Sequence, residues 1–486
     1  MKVLFASSEV FPFAKTGGLA DVAGSLPSAL ARLGHEVKII MPKYGFIWEN
    51  QWGLKKIEDF PLEFGGRTYP IMLWTVNLPK TSVEVLFISG GPLSLRDGLY
   101  QENGVDYPDN LEGFALFCSA LLEVPKRLNW PPDILHVNDW QTSLALAYFK
   151  VNHKDDPFYK KTGTVFTVHN LAFQGIFPET LFPILNLPRE VFTSSALEFY
   201  GKINFLKAGI VFADVITTVS PTYSREILSP EFGCGLEGLI HEREKDLFGI
   251  LNGADYQKWN PAQDRALPRG YSMKAIEGKK VCKKTLQRKC KFPELEVPLV
   301  GIVSRLTVQK GMDLVIDLIE ELACIDLQMV ILGVGDHEME DKFKKASENF
   351  RDKISVHLTF DENFSHRVIA GSDIFLMPSR FEPCGLGQIY ALRYGAIPVV
   401  RKTGGLADTI IDATPSNLNL NRANGFTFES ATAHSLLNSI RLAICLYQDR
   451  GSWDKLVRVA MSAELSWDRS AKEYIKIYQI ALDRRK

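Results

Sequence analysis

The sequence predicts an α/β protein of two doubly wound domains. A strand–helix–strand pattern opens the chain, the series restarts near residue 298, and one heptapeptide occurs in both halves. Val3-Leu4-Phe5-Ala6 is a short apolar run of the kind buried inside a parallel sheet. A loop with Pro12 and Gly17-Gly18 follows it. Leu19, Val22, Ala23, Leu26, Leu30 and Leu33 then recur at helical spacing, with a kink expected at Pro27 and an end at Gly34. Val37–Met41 is the next strand, and Ile134–Val137, Thr164–Val168 and Val215–Val219 are further buried-strand candidates.

In the second half, Leu299–Val303 reads as a strand, followed by a loop and a helix through Leu314, Ile316 and Leu322. Met329–Leu332, Ile374–Met377 and Ile397–Val400 are later strands. The stretch Asn252 to Gly270 is rich in Pro, Gly and polar residues, so the domain junction is expected there. A last helix, around Ala471 to Leu482, lies past the final strand and fits either domain.

The heptapeptide is Lys15-Thr16-Gly17-Gly18-Leu19-Ala20-Asp21, repeated letter for letter as Lys402-Thr403-Gly404-Gly405-Leu406-Ala407-Asp408. Each copy follows a strand and opens a helical pattern. Paired glycines let a ligand approach the backbone, and a helix N-terminus favours an anion. A left-handed turn with a good cap is the plain alternative. Two copies at equivalent strand ends predict a ligand cleft lined from both halves.

Composition narrows the function classes. The 486 residues are 46% apolar and 23% charged, which excludes a disordered, collagen-like or disulfide-stapled chain. With 56 Lys+Arg against 57 Asp+Glu there is no global pull toward nucleic acid or an anionic membrane. Seven scattered cysteines, with no Cys-x-x-Cys pair, indicate neither a disulfide framework nor a zinc ribbon. No run of 18 apolar residues predicts a membrane span, and the N-terminal apolar run, interrupted by Glu9, is too short for a signal peptide. A cytoplasmic protein is the simplest expectation, with a plastid stroma open if a transit peptide has been removed. The seven basic residues between Lys279 and Lys291 read as a solvated helix face.

The chemistry concentrates at strand ends. Arg305 closes the strand before Leu306-Thr307-Val308-Gln309-Lys310-Gly311, and two cations outside the carboxyl end of a parallel strand fit a diphosphate. Ser379-Arg380-Phe381-Glu382-Pro383-Cys384-Gly385-Leu386-Gly387-Gln388 reads as a tight loop before a helix, with amides at 384 to 386 facing an anion. Glu382 beside such a site is expensive unless it holds a sugar hydroxyl or balances a developing cation; an N-terminal helix charge is the plain alternative. Cys384 reads as a small buried residue, since no paired His is evident. His169 sits at the carboxyl end of Thr164–Val168, and Asp139-Trp140 after Ile134–Val137 suits a sugar, with hydroxyls to the acid and a ring face to the Trp. There is no P-loop and no Asp-x-Asp, and Glu338 occupies the third glycine position after Gly333-Val334-Gly335, which disfavours NAD. His, Asp and Glu do not cluster at metal spacing, so protein cations are expected to neutralise a leaving diphosphate.

Taken in order, these strings closely resemble the bacterial glycogen synthase and starch synthase family, retaining GT-B glycosyltransferases that use ADP-glucose. The resemblance runs from Lys15-Thr16-Gly17-Gly18-Leu19 through Trp467. It implies two Rossmann-like domains with the active site in the interdomain cleft: residues 1–252 on the glucan and sugar side, 253–465 binding the nucleotide sugar, and 466–486 as a C-terminal helix for which packing back on the first domain is one of the two placements open. It implies glucose transfer from ADP-glucose to the non-reducing 4-OH of an α-1,4-glucan such as glycogen, starch or maltodextrin, with no cofactor and no metal. Lys15 and Gly18 resemble nucleotide-sugar contacts, and Arg305 and Lys310 the cations on the diphosphate. Glu382 resembles the carboxylate essential for activity. The amides of Cys384, Gly385 and Leu386 resemble the phosphate and glucose contacts. His169, Asp139 and Asn252 resemble sugar-side residues, and Tyr100 an aromatic near the nucleotide sugar. Glu382, His169, Arg305, Lys310 and Lys15 are thus the expected catalytic set.

Three positions depart from the family pattern. Gly387 stands where Thr is frequent, which removes one hydroxyl contact. Phe360 stands where Tyr often stacks on adenine, and a Phe still stacks. Tyr390 replaces the second Glu of the Glu-x7-Glu pattern of sucrose-type relatives, which favours the glycogen and starch branch. A GT-B transferase using UDP-glucose or a small acceptor, or a non-catalytic glucan-binding protein on the same fold, remain the alternative readings.

Overall fold

Each apolar run expected to be a buried strand forms one. The computed structural model describes residues 1–102 and 104–485. The chain divides into two compact units: Met1–Val219 with Ser224–Ile250 and Trp467–Lys486, and Leu251–Ser466 with Ser220–Tyr223.

The first unit is built on a nine-stranded sheet. In chain order its strands are β1 (Lys2–Ala6), β2 (Glu36–Pro42), β3 (Lys55–Phe64), β4 (Arg67–Asn77), β5 (Glu84–Ser89), β6 (Ile134–Asn138), β7 (Gly163–Val168), β8 (Val215–Thr218) and β9 (Leu247–Gly249). Their order in space is β9-β8-β7-β6-β1-β2-β5-β4-β3. All pairs from β9 to β5 are parallel, and β5-β4-β3 close the edge antiparallel. That edge is absent from the sequence reading. Exposed residues interleave with buried ones along β3, so no continuous apolar run marks it; Gly65 and Gly66, both at positive φ, supply the two-residue hairpin turn to β4.

Leu19, Val22, Ala23, Leu26 and Leu30 are the buried face of helix Gly18–Arg32, which passes through Pro27. The last helix, Trp467–Asp483, packs in this unit. Its Tyr478 hydroxyl lies 2.8 Å from Nδ1 of the buried His136, and a Cβ at Gly163 would sit 2.9 Å from the Ala481 carbonyl.

The second unit carries a six-stranded parallel sheet: β10 (Leu299–Val303), β11 (Gln328–Leu332), β12 (Ile354–His357), β13 (Ile374–Met377), β14 (Ile397–Arg401) and β15 (Phe426–Phe428), in the order β12-β11-β10-β13-β14-β15. Val300, Ile302, Met329, Ile331, Ile374, Leu376, Val399 and Val400 form its core. The segment Ser220–Tyr223 belongs here because Asp408, the last residue of the second heptapeptide, holds it. The carboxylate accepts from the Thr222 N–H at 2.8 Å and its hydroxyl at 2.6 Å.

The basic helix is not simply a solvated face. Two lysines of Glu277–Lys289 are buried. Lys279 donates to the carbonyls of Ala370, Ser372 and Tyr394, and burial pushes its ammonium down to about 8. Lys283 pairs with Asp373 at 2.6 Å. Apolar helix positions and buried lysines with carbonyl partners share one periodicity, so charge alone misleads there.

Candidate functional site

In an open parallel sheet the chain first adds strands on one side of the starting strand and then on the other. The carboxyl ends at that reversal diverge and leave a crevice. In the second unit the reversal lies between β10 and β13, which stay paired at only two positions, Val300↔Ile374 and Gly301↔Phe375. Arg305 and Lys310 follow β10, and Ser379 and Glu382 follow β13, so the expected residues of this unit gather at the reversal.

Glu382 is only 6% exposed. Its Oε2 accepts from the Lys310 ammonium at 2.6 Å and from the Ser379 hydroxyl at 2.9 Å. A buried carboxylate is costly unless paired and hydrogen-bonded, and both conditions are met. Arg305 is exposed, its guanidinium reaching only as far as the Gln309 Oε1 at 3.2 Å. Sequence reasoning missed how this loop is held. Arg380 pairs with Asp313, its N–H donates to the Gln309 carbonyl at 2.8 Å, and its carbonyl accepts from Arg401. Gly311, at φ +70, lies so close to Pro378 that a Cβ would come 2.0 Å from its carbonyl.

The amides of Cys384, Gly385 and Leu386 donate to no described protein group. Gln388 instead holds the carbonyl side of the loop, donating to the Cys384 and Gly385 carbonyls at 2.9 and 3.0 Å. The loop therefore keeps three amides without a described protein acceptor, as an anion requires. Cys384 is buried and its thiol is pushed up to about 12 by burial, so it is not a nucleophile at neutral pH. Asn252 is buried with an unpartnered Oδ1, a group that a hydroxyl or amide donor would satisfy. Phe360 is 81% exposed, an open ring face. Tyr390 stacks on Trp259 at 3.7 Å between centroids, which gives a packing reason for an aromatic there. Gly333 and Gly335 serve close packing: a Cβ would fall 1.8 Å from the Ser304 carbonyl and 2.3 Å from that of Leu306.

In the first unit the reversal lies between β1 and β6. Glu9, Lys15 and Gly18 follow β1, and Asp139 follows β6. Glu9 is the organising residue here, and the sequence reading passed over it. Only 3% exposed, it accepts from the Thr16 N–H and hydroxyl (both 2.6 Å), the Gly17 N–H (3.2 Å) and the Tyr100 hydroxyl (2.8 Å). Its signal was an acid interrupting an apolar strand end. Tyr100 also meets the Ser8 hydroxyl at 2.8 Å, and burial with the Glu9 charge raises its pKa well above 10. Lys15 is exposed and pairs with Asp21 at 2.8 Å. Open space surrounds Gly17 and Gly18.

Asp139 has a local structural partner. Its Oδ1 accepts the His169 backbone N–H at 2.7 Å, and the residue itself sits at φ +55. Burial pushes its carboxyl up to about 7. Through Oδ1 it shapes the His169 loop. Trp140 offers no ring face either. It is packed edge-on to Phe114 at 5.0 Å and against Phe177 at 5.8 Å, and a Cβ at Gly175 would strike its ring at 2.4 Å. His169 lies at the end of β7, its Nε2 2.9 Å from Asn138 Oδ1, and burial holds its pKa down to about 3.

The family model of the starch synthase catalytic domain matches residues 2–242, and that of glycosyl transferases group 1 matches residues 283–457. Glycogen synthases of Desulforudis audaxviator and Thermotoga maritima are each 44% identical to this chain, the first covering 100% of it and 97% of itself, the second 99% of both. The catalytic domain of starch synthase IV from Arabidopsis thaliana, solved bound to ADP and acarbose, superposes with a TM-score of 0.91 at 32% identity over 99% of both chains. The sucrose-phosphate synthase of Thermosynechococcus elongatus shares the fold at a TM-score of 0.60 and 16% identity, over 99% of this chain and 98% of its own.

Proposed function

The chain belongs to the glycogen synthase and starch synthase family and is a glucosyltransferase; on that premise we propose ADP-glucose as its donor and the non-reducing 4-OH of an α-1,4-glucan as its acceptor, with retention of configuration. The observation that carries this reading is the crevice of the second unit: a Lys310–Glu382 pair, an exposed Arg305 and three amides at 384 to 386 without a described protein acceptor.

In this mechanism Arg305, Lys310 and the loop amides take up the charge of the departing diphosphate. Lys310 already faces one anion, so Glu382 keeps the ammonium oriented while the diphosphate leaves. The acceptor oxygen attacks from the face the nucleotide departs, and Glu382 and His169 hold the glucosyl ring as it gains oxocarbenium character. Lys15 and Gly18 contact the nucleotide sugar, Phe360 stacks on the base, and Asn252 takes a sugar hydroxyl on its unpartnered oxygen. Tyr100 acts by holding Glu9, and Asp139 by holding the His169 loop.

No metal is required in this scheme. Among the described residues no group of three or more His, Cys, Asp or Glu side chains is placed to hold one. A neutral glucan also needs no global field, in keeping with a net charge of −1. Cytoplasmic glucan elongation is the setting that fits.

Parallel assays with ADP-glucose and UDP-glucose, each with glycogen and with short maltodextrins, test the reading. Transfer from ADP-glucose to glycogen, unchanged by EDTA and with α-anomeric product, is expected. Transfer from UDP-glucose alone, or glucan binding without ADP release, overturns it.

A further inference from the structure

We propose that Asn138 is a positioning residue that fixes His169 as its Nε2–H tautomer and so leaves Nδ1 as a hydrogen-bond acceptor for one hydroxyl of the glucosyl group. The tautomer rests on the hydrogen bonds of the first unit alone, and the hydroxyl rests on the transfer reaction proposed above.

Asn138 is the last residue of β6 and fully buried. Its amide has one orientation. Nδ2 lies 3.0 Å from the Ala6 carbonyl, which only accepts, so the donor end must face Ala6. A flipped amide would set two oxygens against each other. Oδ1 is thereby directed at His169 Nε2, 2.9 Å away. An amide oxygen only accepts, so Nε2 carries the hydrogen. The Asn138 backbone is held as well: its N–H donates to the Thr142 hydroxyl at 2.6 Å, which donates to the Asn138 carbonyl at 2.7 Å.

The neighbouring residue fixes the rest of His169. Asp139 takes the His169 N–H at 2.7 Å while held in the left-handed region, which an aspartate adopts at a steric cost. Residues 138 and 139 thus grip ring and backbone of one histidine. The titratable groups around that ring are His136 and Asp139. His136 is itself buried and pushed down to about 3; Asp139 is pushed up to about 7 and its Oδ1 is occupied by the backbone. Burial likewise keeps the His169 ring neutral, with a pKa of about 3. A neutral imidazole has one hydrogen. With it on Nε2, and no partner reaching Nδ1 among the described residues, Nδ1 is a lone pair. A sugar hydroxyl meeting it must donate, which turns that hydroxyl's own lone pairs away from the ring.

Nitrogen NMR of the full chain with labelled histidine tests the tautomer, His169→Gln assigning the signals. Protonated Nε2 and unprotonated Nδ1, constant from pH 5 to 8, are expected; an Nδ1–H form, an averaged pair or an imidazolium overturns the proposal. Kinetics give a second test. Asn138→Asp places a carboxylate on Nε2 and favours the imidazolium. It is expected to lower kcat/KM about 10- to 100-fold at neutral pH, as disturbed outer partners of a histidine do, with recovery as pH rises. Asn138→Leu is expected to lose a similar factor with no new pH dependence. Superimposable pH profiles of wild type and Asn138→Asp overturn the proposal. Among mono-deoxy analogues of the donor, wild type is expected to reject one about 10-fold or more, and His169→Phe to lose that preference. An equal preference in both overturns the hydroxyl contact. If no donor is turned over at all, the proposed function falls, while the NMR pattern still decides the tautomer of the folded chain.

Discussion

The same seven letters do different work in the two units. In Lys15–Asp21 a surface loop runs into the first turn of helix Gly18–Arg32: residues 15 to 18 are exposed and a Cβ on Gly17 or Gly18 meets nothing. In Lys402–Asp408 Thr403, Gly404 and Gly405 are buried. A Cβ on Gly404 would fall 2.0 Å from the Glu382 carbonyl, and one on Gly405 2.1 Å from that of Cys384. Gly404 is also at φ +43, whereas Gly17 is extended at −150°. The first copy leaves its glycines open, and the second uses them to seat the loop that carries Glu382. Identical sequence thus marks equivalent strand ends without assigning equivalent duties.

The sharpest break is on the loop that the second copy supports. Lys310→Ala removes the partner of a buried carboxylate and a leaving-group cation together. Its kcat is expected to fall about 10² to 10³-fold, the loss typical of one transition-state donor. Arg305→Ala, exposed and, among the described residues, unpaired with any acid, is expected to fall by a similar factor without loss of stability. Near-wild-type turnover in both would remove the diphosphate role. The next effect divides the two copies directly. Gly404→Ala puts a β-carbon into the Glu382 carbonyl at a positive φ and is expected to cost about 2–4 kcal/mol of unfolding free energy, with activity lost alongside. Gly17→Ala is expected to stay within about 0.5 kcal/mol of wild type while kcat/KM drops. Urea unfolding with matched kinetics decides this, and equal destabilisation at both sites would erase the distinction.

Why do the two copies read alike? Strand runs such as Val3–Ala6 and Leu299–Val303 are legible because parallel strands bury both faces and so appear as unbroken apolar letters. Arg305, Lys310 and Glu382 are legible because strand ends are fixed by those runs. What seats the Glu382 loop is not. Gln388, Arg380 and Asp313 come from separate elements and act through main-chain atoms, which carry no letter of their own. Asp139 and Trp140 show the same limit. Their types suit a sugar, yet one carboxylate oxygen is held by a backbone amide and the indole is taken up by core packing. The edge strand β3 hides for a different reason, since exposed residues break up its apolar positions.

Glu9 gives a smaller test of how the first copy is held. Four hydrogen bonds converge on it, two from main-chain amides of residues 16 and 17. Glu9→Gln keeps the shape but trades one acceptor oxygen for a donor, which faces N–H and O–H groups. A loss of about 1–2 kcal/mol is expected, with a rise in donor KM exceeding the fall in kcat. If instead kcat alone falls, Glu9 touches the reacting atoms and the loop is not its target. In the second copy, main-chain packing of Gly404 and Gly405 on residues 382 and 384 takes part in the holding.

The smallest effect concerns the charge beneath the first copy. Asp139 is raised to about 7, first by burial and then, among charges, by Glu9. An unfolded aspartate titrates near 3.9. The folded state therefore holds a proton on Asp139 at pH 6 that the unfolded state has released, and this contribution to stability fades as pH rises through about 7. Asp139→Asn keeps an oxygen for the His169 N–H and cannot titrate. His136 and His169, both held down to about 3, lose stability as pH falls below about 6.5, but equally in wild type and variant, so they cancel. The free-energy difference between wild type and Asp139→Asn should thus shift by about 1 kcal/mol in favour of wild type from pH 7 to pH 6. Adding Glu9→Gln should shrink that shift, because the charge that helps raise Asp139 is gone. Parallel pH curves for wild type and Asp139→Asn would mean that Asp139 is ionised throughout. The first copy would then rest on two carboxylates instead of one.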